Sequence, residues 1–172
     1  IIDLFFFFLS RINQLTHRAM TIRHLLTMTS GVTFNEAGSV TEADWVKCFL
    51  ESAVLKEPGS VFQYNSMNTY MLACAIKQVT GQGLVDYLKP RLFEPLGIMN
   101  FFWETCPMGN EKGGWGLYIL PEDIAKIGQL VLDGGKFEGK QLVSEQWIAE
   151  ATRAQAQPPK TLGNYDYGYQ IW

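Results

Sequence analysis

The stretch Pro58 to Gly81, PGSVFQYNSMNTYMLACAIKQVTG, constrains the fold more than any other part of the chain. Pro58-Gly59 is turn punctuation. Val61-Phe62-Gln63-Tyr64 is β-prone, and an extended backbone would point Phe62 and Tyr64 the same way. Asn65 or Ser66 can cap a helix through a side-chain oxygen. The spacing predicts a helix from Met67 to about Thr80, with Gly81 supplying the left-handed stop. Met67, Tyr70, Met71, Leu72, Ala73, Cys74, Ala75, Ile76 and Val79 leave that helix little polar face, so it is expected to be buried. Tyr64-Asn65-Ser66 then sits in a tight turn at the mouth of a central helix. Polar groups there are held rigidly and face the positive end of the helix dipole, a suitable place for a catalytic or binding group.

The 172 residues suffice for one domain with a real core, and no internal repeat or second domain is visible. A hydrophobic content of 47% with 18% charged residues excludes a disordered chain. The net charge of -3, from 14 basic and 17 acidic residues, leaves no footprint for nucleic acid. No apolar run is long enough to span a bilayer. The opening IIDLFFFFLS lacks the basic start and cleavage site of a signal peptide, and the absence of an initial Met suggests a chain cut from something longer or processed. Cys48, Cys74 and Cys106 are odd in number and show no CxxC spacing, so they read as free, mostly buried thiols. His17 and His24 lack carboxylates at ligand spacing, and no metal site is expected.

Along the chain, Leu4 to Leu9 cannot face water and must pack under something or against a partner. Thr21 is expected to cap a short helix whose inner stripe is Ile22, Leu25 and Leu26. Thr41 to Asp44 resembles a capping box, opening a helix with Trp45, Phe49 and Leu50 inward. Gly83 starts a further helix that Pro90 bends or splits near Lys89. Phe101-Phe102-Trp103 reads as extended, and the glycines at 109, 113, 114 and 116 as a turn where backbone passes close to backbone. Pro121 opens a helix with Ile124, Ile127, Leu130 and Val131 inward; Lys136 to Val143 reads as a hairpin or loop. Ser144 caps a last helix with Trp147, Ile148 and Ala151 inward. Tyr165, Tyr167, Tyr169 and Ile171 alternate onto one face, which predicts a C-terminal strand.

Several of these segments together resemble one family, the serine β-lactamase and penicillin-binding-protein-like hydrolases. The branch includes AmpC-type β-lactamases, D-alanyl-D-alanine carboxypeptidases and related esterases and amidases. The resembling residues are Thr21 to Gly31, TIRHLLTMTSG; Phe62 to Ser66, FQYNS; and Phe93 to Gly97, FEPLG. Gly116-Leu117 through Asp123 to Gly128, Leu132 to Gly135, and Tyr167-Gly168-Tyr169 follow in the family's order. The resemblance covers nearly the whole chain from Met20 onward.

The family's chemistry uses three boxes. The first, S-x-x-K, holds a serine nucleophile one helical turn from a lysine. The residues three after Ser10, Ser30, Ser39, Ser52, Ser60, Ser66 and Ser144 are Asn13, Thr33, Glu42, Leu55, Gln63, Thr69 and Trp147, so no serine here carries it. In the family this box precedes the TIRHLL-type segment and would fall before Ile1. The second box is Tyr-x-Asn, and Tyr64-Asn65-Ser66 occupies it, with Ser66 where Asn is common. The third box, Lys-Thr-Gly or a His-x-Gly variant, follows the Tyr-Gly-Tyr segment and would fall beyond Trp172. Lys160-Thr161-Leu162-Gly163 has an extra residue and comes too early, so it reads as a decoy.

The resemblance implies a mainly α chain: the helical lobe of a β-lactamase/transpeptidase-like α+β fold with a C-terminal strand, residues 1–172 forming a single partial domain. It implies acyl transfer to serine from an amide or ester substrate, with Tyr64 as general acid/base and Asn65 and Ser66 as substrate-positioning groups. On composition alone Tyr64 reads as an aromatic closing a helix turn; the ordered resemblance moves it to the active site. A phenol of ordinary acidity needs positive charge beside it for this work at neutral pH. His24 lies in a segment the family uses structurally. No metal or organic cofactor is implied. A periplasmic or secreted location is favoured by the resemblance alone. Two readings remain: part of a serine hydrolase that is inactive by itself, or a non-catalytic binding module derived from the fold. The Phe5 to Phe8 run and the apolar strand face are expected to drive self-association.

Overall fold

The computed structural model describes residues 19–34 and 41–172. The Leu4–Leu9 block, the Phe5–Phe8 run and His17 lie outside the described residues. In chain order the elements are α1 (Ile22–Leu26), α2 (Trp45–Glu51), α3 (Ser66–Thr80), α4 (Leu84–Leu88), a π-turn (Lys89–Phe93), β1 (Phe101–Trp103), β2 (Leu117–Ile119), α5 (Pro121–Leu132), the short pair β3 (Lys136–Phe137) and β4 (Lys140–Gln141), α6 (Glu145–Thr152), and a 3-10 turn (Lys160–Leu162).

Helix α3 has the predicted ends. The Asn65 side chain accepts a hydrogen bond from the Met67 N–H, and Gly81 closes the helix at φ 72°. Its buried face carries Met67, Tyr70, Met71, Cys74 and Ala75, which pack with Leu25 of α1 and with Trp45, Phe49 and Leu50 of α2. The burial is not all round, since Val79 is 68% exposed. Trp45 sits edge-on to Tyr70 at 5.4 Å and stacks on Trp115 at 5.6 Å. A second core holds Phe93, Leu96, Ile98 and Leu130, with Phe101 of β1 and Ile119 of β2 against it. β1 and β2 pair antiparallel, Phe102 opposite Tyr118.

The glycine loop does bring backbone against backbone. A Cβ on Gly113 would lie 2.9 Å from Cβ of Ala73, and one on Gly114 only 2.6 Å from the carbonyl oxygen of Ser66. Only a residue without a side chain lets the loop lie against the first turns of α3. Pro90 splits its helix as expected: α4 ends at Leu88, and Glu94 N–H reaches back to the Lys89 carbonyl.

Further expectations are corrected. The cap of α2 is Asp44, whose side chain accepts from Lys47 N–H, in place of Thr41. Ile22 of α1, Ile124 of α5 (55%) and Trp147 of α6 (47%) are exposed, because each helix buries a narrower stripe than its apolar residues suggest. The C-terminal strand is absent. Tyr167 makes a single antiparallel bridge to Ala156, and Gln170 at φ 61° turns the chain out of the extended conformation. Tyr165 is consequently 62% exposed while Tyr167 is buried, so the four alternating residues share no face. The strand face invoked for self-association therefore does not form.

All three cysteines are free, with Cys74 and Cys106 buried and Cys48 partly exposed. Tyr70 O–H and Cys106 Sγ are 3.4 Å apart, and burial pushes the Cys74 thiol up to about 12. No helix among the described residues is long and apolar enough to cross a membrane.

Candidate active site

Three segments meet at the N-terminal mouth of α3: the turn after α1, the extended run into Asn65, and the C-terminal segment. The turn after α1 is built around Met28. Its N–H and that of Thr29 bond back to the carbonyls of Leu25 and His24, which places Met28 at φ 56° in the helix-stop position usually held by glycine. A fully buried methionine there costs of order 1 kcal/mol in backbone strain, offset by the packing of its side chain with Phe62 and Tyr167. The Met28 carbonyl accepts the Gln63 N–H at 2.8 Å, and the Thr29 carbonyl accepts the Gly59 N–H at 2.7 Å. These bonds hold the extended run on both sides of Phe62 and deliver Tyr64 to the helix mouth.

The C-terminal segment is pinned by Gln170. Its carboxamide N–H groups reach the Leu25 and Leu26 carbonyls at 3.1 and 3.2 Å, and its oxygen accepts the Thr69 hydroxyl at 2.5 Å. This anchor ties α1, α3 and the chain end together and lays Trp172 over the site. The Tyr64 and Trp172 rings stack at 6.0 Å and 25°. Phe62 meets Tyr167 edge-on at 5.0 Å and Trp172 at 5.9 Å. Phe62 and Tyr64 do point the same way, toward Trp172.

Tyr64 is 51% exposed, so its phenol can meet a solute. Tyr167, by contrast, is buried, and burial followed by the nearby Tyr64 phenol pushes its own phenol well above the ordinary range. The two tyrosines thus differ in setting: Tyr167 stays protonated and packs, while Tyr64 lies open to solvent. Among the described residues, the cation–ring contacts pair Arg23 with Tyr169, Arg91 with Tyr87 and Lys112 with Trp115, and none falls on Tyr64.

Asn65 is 4% exposed and its side-chain oxygen is engaged by the Met67 N–H at 2.9 Å. It fixes the turn that follows Tyr64. Replacing Asn65 by Ala is expected to lower stability by ~1 kcal/mol, the usual loss of an N-cap, read from the urea midpoint at unchanged slope. Ser66 is the first residue of α3 and partly exposed, beside Gly114. Tyr64, Asn65 and Ser66 are therefore contiguous at one helix mouth, but with different exposures.

Sequence reasoning missed Asn68, Met28 and Gln170. Asn68 is fully buried in the first turn of α3, its amide nitrogen 3.4 Å from Met28 Sδ and its amide oxygen without a hydrogen-bond donor among the described residues. A polar residue on an otherwise apolar helix face was the signal available for it. Gln170 gave none, because its partners lie about a hundred residues or more away in the chain. Lys160 stands in the exposed 3-10 turn. No group of three or more His, Cys, Asp or Glu that could hold a metal ion occurs among the described residues.

Comparison with known proteins agrees with this architecture. The protein named as penicillin-binding protein PbpX in Bacillus subtilis (strain 168) is 31% identical over 149 residues, 72% of this chain and 38% of that protein. The 6-aminohexanoate-dimer hydrolase of Paenarthrobacter ureafaciens is 33% identical over 90 residues, 51% of this chain and 22% of the relative. Among solved structures, one from Bacillus anthracis, named for a 6-aminohexanoate-dimer hydrolase, superposes with a TM-score of 0.77 at 21% identity. It covers 95% of this chain and 50% of that one. The chain thus spans half or less of the length of each of these proteins. The family model for Beta-lactamase matches residues 11–172, and the chain belongs to that family of serine hydrolases.

Proposed function

We propose that this chain works as part of a serine hydrolase that cleaves amide or ester bonds through an acyl-enzyme, with Tyr64 as the general acid/base. The observation that supports this most is the half-exposed Tyr64 phenol, held at the mouth of α3 by backbone bonds on one side and the Trp172 ring on the other. In the proposed reaction a serine hydroxyl attacks the substrate carbonyl, its proton leaves by way of the Tyr64 oxygen, and the same group returns a proton to the departing amine or alcohol. Water then hydrolyses the acyl-enzyme by the reverse proton path. Asn65 fixes the turn and Ser66 lies where a substrate group can be positioned. Helix α3 presents its positive end at this mouth, which favours developing negative charge there. The serine and lysine would come from a segment preceding Ile1.

The chain by itself is proposed to be inactive. Incubation with a fluorophosphonate or a fluorescent penicillin is expected to leave all its serines unlabelled. Stoichiometric labelling of any one of them would overturn that assignment. The alternative reading is a non-catalytic binding module, and the reading frame upstream decides between them. Codons for an S-x-x-K box ahead of Ile1 support the hydrolase, and their absence supports the module.

A further inference from the structure

A second concave site lies between α1, the Gly59–Phe62 loop and residues 155–157, with a cavity of about 430 Å³. Its lining includes Arg23, His24, Thr29, Ser60, Gln155 and Gln157, and contains no aspartate or glutamate. Arg23 donates to the Tyr169 phenol oxygen at 2.8 Å and to the Gln155 amide oxygen at 2.5 Å. Both acceptors are neutral. The nearest carboxylate in this network, Glu150, is already held by Arg153 at 2.6 and 2.7 Å and accepts from Gln155 as well. The ion pairs of the described residues are Lys112 with Glu104, Lys126 with Asp123 and Arg153 with Glu150, so Arg23 has no counter-charge among them.

His24 is oriented to complement it. Its Nδ1 accepts the Thr21 N–H at 3.3 Å, completing the cap of α1, which assigns the ring proton to Nε2. That nitrogen lies toward Gly59, 3.1 Å from where a Cβ would stand. We propose that this cleft binds a small oxyanion, a phosphate or a carboxylate, with Arg23 as its charged donor and the His24 Nε2–H as a second donor. A guanidinium offers planar paired N–H groups that match two oxygens of such a ligand. The hydroxyls of Thr27 and Ser60 already donate to the carbonyls of Arg23 and Glu57, so the charge of the site comes from Arg23. The site is separate in its chemistry from the Tyr64 reading and stands or falls without it.

Burial first, and then the Arg23 charge, lower the proton affinity of His24. The Gly59–Phe62 loop and residues 155–157 present no titratable side chain to the cleft, and the Glu150–Arg153 pair and the Tyr169 phenol lie behind Gln155 and Arg23. Protonation at Nδ1 gives up the Thr21 bond but adds a charge that a bound anion favours, so binding should strengthen as pH falls through the His24 titration.

The test is titration of the chain with inorganic phosphate, acetate and chloride at constant ionic strength. It is followed through the His24 ring C–H resonances, identified by their loss in His24→Gln. Saturable shifts are expected with phosphate or acetate and none with chloride; phosphate saturating first identifies a phosphate site, and acetate a carboxylate site. Sulfate, whose charge is constant over the range, carries the pH arm and should bind several-fold more tightly at pH 5.5 than at pH 8. Arg23→Gln should abolish saturation while Arg153→Gln leaves it in place. Gln157→Glu, a near-isosteric change on an exposed residue, should weaken phosphate binding several-fold and raise the His24 pKa. Absence of saturation with every oxyanion, or saturation undiminished by both Arg23→Gln and Gln157→Glu, overturns the proposal.

Discussion

Tyr64→Phe is expected to lower kcat/KM for an ester or amide substrate by ~10²–10⁴-fold, the range that a positioned general acid/base contributes. On the proposed reading, the assay uses a polypeptide in which an S-x-x-K serine accompanies this chain. The substitution keeps the ring that stacks on Trp172 and removes only the oxygen, so the fold around α3 should be unchanged. Acylation, read as the burst with a chromogenic ester or as the rate of labelling by a fluorescent penicillin, should fall with kcat/KM. Binding of the unreacted substrate should change little. Activity within about threefold of the parent would remove Tyr64 from the proton path, because losses that small lie below what general acid–base catalysis supplies. Tyr167→Phe is the matched control. Its buried phenol is held protonated by burial, so it has no part in proton transfer and its loss should leave acylation intact.

Phe49→Ala is expected to destabilise the chain by ~3–5 kcal/mol, the cost of deleting a buried aromatic and leaving its cavity. Phe49 is fully buried between α2 and α3, in the cluster that also holds Trp45, Leu50, Tyr70 and Met71. Such a loss is a large share of the ~5–15 kcal/mol that holds a typical domain folded. Urea unfolding should show the midpoint falling steeply. Leu132→Ala is the contrast: Leu132 is equally apolar but 81% exposed at the end of α5, and its removal should shift stability by no more than ~0.5 kcal/mol. Equal losses at both positions would mean that the exposed end of α5 is covered in solution.

How far the sequence could be read depended on the range of the interaction involved. The cap of α3 by Asn65, its stop at Gly81, the split at Pro90 and the caps of α1 and α6 rest on groups within a few residues of one another, and each formed where expected. Apolar stripes were less legible. Periodicity says which residues lie on one helix side but not how wide a neighbour covers it, so Ile124, Trp147 and Val79 were placed inside and stand outside. The C-terminal alternation failed for a related reason. A strand needs a partner edge, and here Gln170 finds better partners in the open carbonyls at the end of α1 and the hydroxyl of Thr69.

The sequence by itself determined that Tyr64 stands at the mouth of a central helix, because a turn, a cap and an apolar run are all local properties of Pro58–Gly81. The order of its segments also carried the resemblance that the family match then bore out. Only the tertiary structure decided what surrounds that tyrosine. Met28 in a left-handed turn against Asn68, and Trp172 stacked on Tyr64, bring together segments far apart in the chain, and their meeting depends on packing and long-range hydrogen bonds that no local pattern encodes. The same holds for the Arg23–His24 cleft. Two neighbouring residues of a short helix become a site only when the Gly59–Phe62 loop and residues 155–157 close around them.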